Sequence, residues 1–515
     1  MRASDHLPDT FNAAEWFVGR HVREGRGKNV ALVTDEGSVT YEQLDLAVRR
    51  FAAALLEAGV LQGDRVALLL PDSPILSFAF WGAIAAGAVA VPINPLLKPH
   101  EHQRILDDCA PRVVVADVVG LPRVGDLALS CATAIWTGEH ARAGADARPA
   151  APSYASTHRD ATAFFLYSSG TTGEPKGVVH LQHDMWICGE TYGKEVLGIT
   201  ESDRCFSVAK LFFAYGLGNA QYFPLHVGAS AVLLPGRPTP EAVFAQVRRH
   251  RPTLFFGVPT AYANMLAAMD AGASSDFASV RACVSAGESL PKGVFERWRE
   301  RTGIEILDGI GTTEIGHIFL SNRATACRPG SSGTPVPGYQ VRLVDEDGSE
   351  VPRGELGDLL VRGDSIMSGY WNRPEATSRT LRGEWIVTGD KYSQDQDGYF
   401  FHGGRSDDML KVGGIWVSPV EVEGVIASHP AVLECAVVGE RDDDGLVKAH
   451  AYVTLRPAAA ASVDLEAAIK DYARAELAPY KCPRRVTVVP ELPKTATGKT
   501  QRYRLRDRTG GTSDL

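Results

Sequence analysis

The chain has 515 residues and carries 53 basic and 62 acidic side chains, which gives a formal net charge of −9. This length predicts one large domain with at least one smaller one, and the scattered charges exclude nucleic acid and an anionic membrane as main partners. The longest apolar run, residues 78–91, is too short to cross a bilayer. An acidic N-terminus and eight cysteines without a CxxC pair favour a cytoplasmic location.

Strands and helices alternate in the first part of the chain. Short apolar or β-branched runs predict buried strands at 65–70, 113–115, 231–234, 254–258 and 304–307. Helical patterns between them predict helices at 240–250 and 291–301. This alternation predicts an α/β fold, in which helices cover layered sheets in a large N-terminal domain.

The pattern changes after residue 330. Short strands and turns over 330–401 predict a small β-rich subdomain. A further α/β unit follows residue 405, with strands near 436–438, 451–455 and 486–489 and a helix over 465–477. The sequence therefore predicts a domain boundary at 404–408 and a small α/β domain at the C-terminus.

The segment 167–180 is the most informative part of the sequence and reads YSSGTTGEPKGVVH. It is rich in Ser, Thr and Gly, which present backbone N–H groups and hydroxyls to an anion. It is not the GxxxxGK[ST] loop, because its lysine is followed by glycine. The segment predicts a phosphate cradle formed by Ser168, Ser169, Gly170, Thr171, Thr172, Gly173 and Lys176.

Four further motifs occur in order: GTTE at 311–314, TGD at 388–390, GRSDDMLKVGG at 404–414 and PKTATGK at 493–499. Together with the cradle they resemble the adenylate-forming superfamily, which includes acyl-CoA synthetases, nonribosomal-peptide adenylation domains and beetle luciferases. The resemblance extends from about residue 11 to residue 504. It implies an N-terminal adenylation domain with the acyl and ATP pockets at 1–404, a hinge at 405–408 and a mobile lid domain at 409–515.

The resemblance also implies the chemistry. The substrate carboxylate attacks the α-phosphate of ATP itself, so the reaction needs positioning and charge stabilisation but no general base. By similarity Lys499 bridges carboxylate and phosphate, and Glu314 holds Mg²⁺ on the ATP oxygens with Thr171 or Thr172 nearby. The hinge falls on Asp407, where rotation would replace Lys499 by a second face of the lid. That face is expected to bind coenzyme A through Lys411, Gly413, Gly414 and Trp416.

For the nucleoside, the resemblance makes Asp390 the acceptor for two ribose hydroxyls and Arg405 a donor to the same sugar. Many members of the superfamily place tyrosine where this chain has Ile310, so stacking on adenine is predicted to be lost. By the same resemblance the adenine lies between the turn 286–288 and the segment 308–310. The rest of the expected ATP site consists of Ala286, Gly287, Glu288, Asp308, Gly309, Ile310, Gly311, Thr312 and Thr313.

The acyl pocket is expected at segment 210–219, KLFFAYGLGN, where the superfamily's pocket helix begins. No Asp or Glu occurs between residues 204 and 240, so an α-ammonium would be unpaired and α-amino acids are disfavoured. This segment, with DGIGTTEIGHIFLSN at 308–322 and KVGGIWVSP at 411–419, resembles benzoate-CoA ligases and related aryl-acid ligases. By that resemblance the substrate ring is surrounded by Phe213, Ala214, Tyr215, Ile310 and His317.

The leading hypothesis is therefore an enzyme that uses ATP, Mg²⁺ and coenzyme A to convert benzoate or a substituted benzoate to its CoA thioester. One alternative is an aryl-acid adenylating enzyme that loads the phosphopantetheine of a carrier protein, and a second is a medium-chain fatty acyl-CoA synthetase. A non-catalytic nucleotide-binding protein is disfavoured, because Lys499, Glu314 and Asp390 are all present.

Overall fold

The computed structural model describes residues 3–117, 134–137, 149–151, 153–169, 175–412, 415–441, 447–456, 463–494 and 500–507. The strands, in chain order, are β1 (Val30–Thr34), β2 (Gly37–Thr40), β3 (Arg65–Leu69), β4 (Val89–Pro92), β5 (Val113–Ala116), β6 (Ala134–Thr137), β7 (Thr162–Ser169), β8 (Pro175–Leu181), β9 (Arg204–Ser207), β10 (Ser230–Val232), β11 (Leu254–Gly257), β12 (Ala282–Ser285), β13 (Ile306–Gly311), β14 (Ile318–Ser321), β15 (Thr334–Pro335), β16 (Gln340–Val344), β17 (Gly357–Arg362), β18 (Gly369–Tyr370), β19 (Leu381–Arg382), β20 (Trp385–Gln394), β21 (Phe400–Arg405), β22 (Leu410–Val412), β23 (Ile415–Val417), β24 (Val432–Arg441), β25 (Val447–Leu455) and β26 (Arg485–Val488).

The α-helices, in chain order, are α1 (Arg20–Arg23), α2 (Tyr41–Glu57), α3 (Pro74–Ala85), α4 (Pro99–Cys109), α5 (Asp184–Cys188), α6 (Ala214–Leu217), α7 (Phe223–Val227), α8 (Pro240–His250), α9 (Pro259–Asp270), α10 (Lys292–Thr302), α11 (Pro374–Thr380), α12 (Pro419–Ala427), α13 (Val463–Glu476) and α14 (Arg502–Asp507). Shorter turns are π-helical at Glu15–Gly19, Gly189–Val196 and Gly218–Tyr222, and 3₁₀ at Ala3–His6 and Thr313–Ile315.

Two large sheets form the body of the N-terminal part. One has seven strands in the order β18-β8-β7-β4-β3-β5-β6, and the other has nine in the order β15-β14-β13-β12-β11-β9-β10-β1-β2. The run from β1 through β13 in the second sheet is parallel, whereas β14 and β15 are antiparallel additions at its edge. One hydrophobic core fills the space between these sheets and the helices α2 and α3.

Two smaller units follow. A five-stranded antiparallel sheet has the order β16-β17-β20-β19, with β21 paired to β20. After it come the hairpin β22–β23 and the sheet β24-β25-β26, which share a separate core with α12 and α13. The predicted α/β class, the β-rich subdomain and the C-terminal α/β unit are all confirmed.

Local sequence signals account for several boundaries. Helix α8 has the predicted bounds: the Thr239 side chain accepts the N–H of Ala242, proline occupies its first turn, and Arg251 ends it with a left-handed φ of 46°. The apolar run 78–91 forms the end of α3 followed by β4. Among the described residues no helix is long and apolar enough to span a membrane.

The strand predicted at 304–307 was placed too early and made too short. It forms as β13 over Ile306–Gly311, because β14 pairs with its distal half. The strand therefore carries the chain directly into the GTTE motif. At the predicted hinge, β21 ends at Arg405 and β22 begins at Leu410, so residues 405–408 lie at and just after the end of a strand.

Candidate functional site

The predicted adenine segments lie side by side on two neighbouring strands of the nine-stranded sheet. Strands β12 and β13 are parallel, with Ser285 opposite Asp308. The turn that begins at Ala286 therefore leaves β12 beside Asp308, and Gly287 turns the chain with a left-handed φ of 97°. Burial raises the pKa of Asp308 well above its usual range.

The predicted ribose ligands face each other on two antiparallel strands. Asp390 of β20 lies opposite Arg405 of β21, and Nη1 of Arg405 is 3.3 Å from Oδ1 of Asp390. The TGD motif needs its glycine, because Gly389 has a φ of 74° and a Cβ atom there would lie 2.7 Å from Nη2 of Arg405. This pair is positioned at the end of the β-rich sheet, ahead of the predicted hinge.

His402 connects Asp390 to the predicted adenine turn, and no sequence pattern indicated this role. Its Nδ1 lies 2.7 Å from the hydroxyl of Ser289, which follows the adenine turn. Its Nε2 lies 3.5 Å from Oδ1 of Asp390. A histidine five residues after a turn has no local signature, so only the pairing of β20 with β21 identifies it.

The predicted phosphate cradle is described at its two arms. Strands β7 and β8 are antiparallel, and Ser168 lies opposite Lys176 at their ends. The tip, residues 170–174, lies outside the described residues, as do the predicted cradle residues Gly170, Thr171, Thr172 and Gly173. Ser169 is described only through its backbone. The Lys176 ammonium lies 5.2 Å from the ring centroid of Tyr370.

Glu314 contacts the same tyrosine as this lysine. Oε1 of Glu314 accepts a hydrogen bond from the Tyr370 hydroxyl at 2.8 Å. The preceding carbonyl, that of Thr313, accepts from Nε2 of His180 at 2.7 Å, and Nδ1 of His180 lies 2.8 Å from Oδ2 of Asp184. Side chain and backbone of the Glu314 turn are therefore both fixed. Tyr370 and His180 were missed as site residues, although His180 ends the cradle motif.

The donors at this turn suit a magnesium ion carried by a nucleotide. Within the described ranges no three His, Cys, Asp or Glu side chains gather as a metal cage. Mg²⁺ commonly binds through one or two carboxylates plus substrate phosphates, and one carboxylate, Glu314, is what the turn provides. The neighbouring Thr312 hydroxyl is buried without a hydrogen-bond partner in the described structure, which leaves it free for a ligand oxygen.

Three residues of the predicted acyl pocket lie at the start of α6. Phe213, Ala214 and Tyr215 are three consecutive half-buried residues, and Ile310 on β13 is also half-buried. The ring of His317 lies 5.4 Å from that of Tyr215. The Tyr215 hydroxyl donates to the carbonyl of Val284 at 3.3 Å, so toward a ligand it can only accept.

His317 is a neutral imidazole in a defined tautomer. Burial lowers the pKa of His317 to about 3. Its Nε2 lies 3.3 Å from the backbone oxygen of Tyr215, and because a carbonyl can only accept, Nε2 carries the proton. Nδ1 is therefore an acceptor, and it has no partner among the described residues.

The predicted lid contacts comprise Lys499 and four residues of segment 411–416. Lys499, Gly413 and Gly414 lie outside the described residues, and for Lys411 and Trp416 only the backbone of the β22–β23 hairpin is described. These assignments stay predictions.

The two aspartates of the predicted hinge have different surroundings. Asp407 is exposed and lies 3.6 Å from Nε of Arg405. Asp408 is held by Arg502 and Arg506 of α14. Asp408 is therefore bound to the C-terminal unit, and Asp407 is the last residue before that attachment.

Two family models cover most of the chain. The model of the AMP-binding enzyme matches residues 20–371, and that of the AMP-binding enzyme C-terminal domain matches residues 421–499. The chain belongs to the AMP-binding enzyme family. The predicted superfamily is thereby confirmed, and the two matched regions lie on either side of the predicted hinge.

Individual AMP-binding enzymes match over nearly their whole length. The benzoate–CoA ligase of Thauera aromatica is 47% identical over 513 residues, which cover 97% of this chain and 96% of that protein. The 4-hydroxybenzoate–CoA/benzoate–CoA ligase of Rhodopseudomonas palustris is 43% identical, with 97% and 95% covered. The crystal structure of the anthranilate CoA ligase AuaEII in complex with anthranoyl-AMP is 44% identical, with a TM-score of 0.94 and 99% of both chains covered.

Proposed function

We propose that this chain is an ATP-dependent aryl-acid CoA ligase that activates benzoate or a small substituted benzoate. In the first step the acid and ATP give an acyl-adenylate and pyrophosphate. In the second, the thiol of coenzyme A displaces AMP and gives the thioester. The observation that carries this function is the full-length similarity to CoA ligases for benzoate, together with an aromatic wall beside the nucleotide segments.

In the first step the substrate carboxylate is the nucleophile, so the protein's task is alignment and charge stabilisation. We assign charge stabilisation to Lys499 and phosphate contacts to the cradle arms at Ser168 and Lys176. Glu314 is the proposed magnesium ligand, and Tyr370 orients its carboxylate. Mg²⁺ bound there would neutralise phosphate oxygens.

The nucleoside is proposed to bind along the line of contacts that runs from Ser289 through His402 to Asp390 and Arg405. Asp390 accepts from the ribose hydroxyls and Arg405 holds that carboxylate at 3.3 Å. The Ile310 side chain gives adenine apolar contact without ring stacking. Nucleotide affinity then depends more on the ribose contacts than it does where a tyrosine occupies this position.

The aryl ring is proposed to bind between the 213–215 wall and His317. No described side chain in this wall is ionised, because burial lowers the pKa of His317 and raises the pKa of Tyr215, which leaves both neutral. A flat apolar ring therefore suits it better than an ammonium-bearing substrate. The Nδ1 acceptor of His317 suits an amino or hydroxy substituent on the ring.

The second step is proposed to follow a rotation of the lid at Asp407. Because Asp408 is bound to Arg502 and Arg506, it moves with the C-terminal unit, so rotation is confined to the residue before it. The β22–β23 hairpin, with Lys411, Gly413, Gly414 and Trp416, would then receive the pantetheine arm. Lys499 would leave the site at the same time.

Pyrophosphate release and thioester formation test this function together. The purified chain is assayed with benzoate, 2-aminobenzoate, 4-hydroxybenzoate, cinnamate and octanoate, each with and without coenzyme A. We expect rapid pyrophosphate release with small aryl acids, and a benzoate-type CoA thioester with AMP by mass spectrometry. Adenylate that reacts with a carrier-protein phosphopantetheine but not with coenzyme A would favour the carrier-loading alternative.

A further inference from the structure

A buried carboxylate outside the predicted aryl pocket contacts the segment that forms its wall. Asp72 lies between β3 and α3 and is 3% exposed. Its Oδ1 accepts the backbone N–H of Leu211 at 3.0 Å, and its Oδ2 lies 3.7 Å from Nζ of Lys210. Asp72 therefore contacts the chain two residues before Phe213. The sequence has no acid between residues 204 and 240, and Asp72 lies far from this segment in sequence, so no local pattern indicated the contact.

Lys210 extends this contact to a third part of the fold. Its ammonium donates to the carbonyl of Leu234 and, at 2.7 Å, to that of Gly236, both just after β10. Its own carbonyl accepts the N–H of Phe213 at 3.0 Å. A Cβ atom on Gly216 would lie 2.1 Å from the same carbonyl, so the wall folds back tightly on Lys210.

We propose that Asp72 is a positioning residue for the aryl acid, acting through Lys210 and Leu211 on the wall that bears Phe213 and Tyr215. The proposal rests on the proposed function, because it assumes that this wall binds the ring. A role in stability alone is the weaker account, since a buried ion pair contributes little net stability compared with apolar side chains of the same size.

The ionisation of Asp72 gives this role a measurable signature. Burial raises the pKa of Asp72 to about 6, and Lys210 opposes part of that rise. Lys210 is the charged group that faces it: α3 has no ionisable side chain, and the 234–236 segment presents carbonyls. Protonation below about pH 6 removes the charge that holds the Lys210 ammonium, so the wall loses one of its anchors.

The test is the substitution Asp72→Asn in the full chain, assayed with benzoate, ATP and coenzyme A. Asparagine keeps the size and an oxygen for the Leu211 N–H but lacks the charge, so it imitates the protonated acid. A substrate displaced by about 1 Å from its reactive position can react about 100-fold more slowly. We therefore expect kcat/KM for benzoate to fall about 10- to 100-fold while KM for ATP is unchanged. Asp276→Asn is the matched control, because Asp276 forms an exposed pair with Arg251.

The pH profile distinguishes positioning from a structural role. In the wild type, kcat/KM for benzoate should fall relative to that for ATP between about pH 7.5 and about pH 5, whereas the ratio should be flat in Asp72→Asn. Equal losses of kcat/KM for benzoate and for ATP in Asp72→Asn would overturn the proposal. So would kinetic constants in Asp72→Asn that equal those of the wild type. So would a constant ratio across pH in the wild type, a measurement that needs no folded variant. Failure of the proposed function would instead show as no aryl thioester from the wild type.

Discussion

Replacing His317 by alanine should change which ring substituents the enzyme accepts. His317 is 3% exposed and packs against three aromatic rings. The centroid of its ring lies 4.4 Å from that of Phe223, 5.5 Å from that of Tyr192 and 5.4 Å from that of Tyr215. Its removal leaves a space of about one imidazole ring beside the proposed substrate ring. Benzoate would no longer touch that side, whereas a 4-methyl group on the ring could fill part of the space.

The expected magnitudes follow from these contacts. Large-to-small changes in a core cost about 2 to 5 kcal/mol, and removal of a buried Nδ1 without a partner returns about 1 to 3 kcal/mol, so we expect a net loss of stability of about 2 kcal/mol. The lost contact with His317 is comparable to a missing methylene group in an apolar pocket. Such a loss weakens transition-state binding by about 1 to 3 kcal/mol, which lowers kcat/KM for benzoate by about 10- to 200-fold. A methyl group restores about 0.8 kcal/mol, so the preference for 4-methylbenzoate over benzoate should rise about fourfold or more.

The assay is the initial rate of CoA-thioester formation with both acids, alongside thermal unfolding. His226→Ala is the matched control: His226 is also buried among aromatic rings, near Trp16 and Trp186, but outside the predicted pocket. It should lose stability without a change in substrate preference. A preference that stays constant in His317→Ala, with stability lost as in the control, would refute the placement of His317 beside the ring.

Three further outcomes are expected. Lys499→Ala should lose about 100- to 1000-fold in adenylation yet still convert a supplied aryl-adenylate to thioester; equal losses in both half-reactions would contradict its assignment. Asp407→Pro should retain pyrophosphate release and lose thioester formation, because a fixed φ blocks rotation, so unchanged turnover would remove the hinge from this residue. Acid should destabilise the fold: burial lowers the pKa of His21 and His317 to about 3, so only the unfolded state binds their protons below about pH 6.5. Protonation of Asp72, whose pKa burial raises to about 6, opposes this effect. The free energy of unfolding should therefore fall by about 2 to 3 kcal/mol between pH 7 and pH 5, as measured by denaturant titration. An unchanged free energy of unfolding would contradict this prediction.

Local signals made much of the fold predictable. Helix α8 could be bounded because its cap, its proline and its final residue are adjacent in sequence. The strand β13 could not, because its far half exists only through pairing with β14. In the same way, the pairing of β1 with β10 joins residues about two hundred positions apart, which no local pattern encodes.

The site was predictable where function requires a motif and unpredictable where a partner comes from elsewhere in the chain. Glu314 and Asp390 stand in motifs. Glu314 and the predicted cradle residue Lys176 both contact Tyr370, and Asp390 contacts Arg405. Their neighbours Tyr370 and His402 belong to no motif and are two among 15 tyrosines and 14 histidines. Asp72 shows the same limit, since an acid-free segment in sequence is not an acid-free segment in space.

The ratio of kcat/KM for benzoate to that for octanoate, with coenzyme A as the acceptor, tests the central claim most directly. In the proposed pocket a flat ring would meet the 213–215 wall with apolar contact worth about 25 cal/mol per Å², whereas an eight-carbon chain would have to extend past His317. We predict that benzoate or a small substituted benzoate exceeds octanoate by about tenfold or more, about 1.4 kcal/mol in transition-state binding. An advantage of the same size for octanoate over every aryl acid would contradict the aryl-acid assignment and leave only the adenylate chemistry.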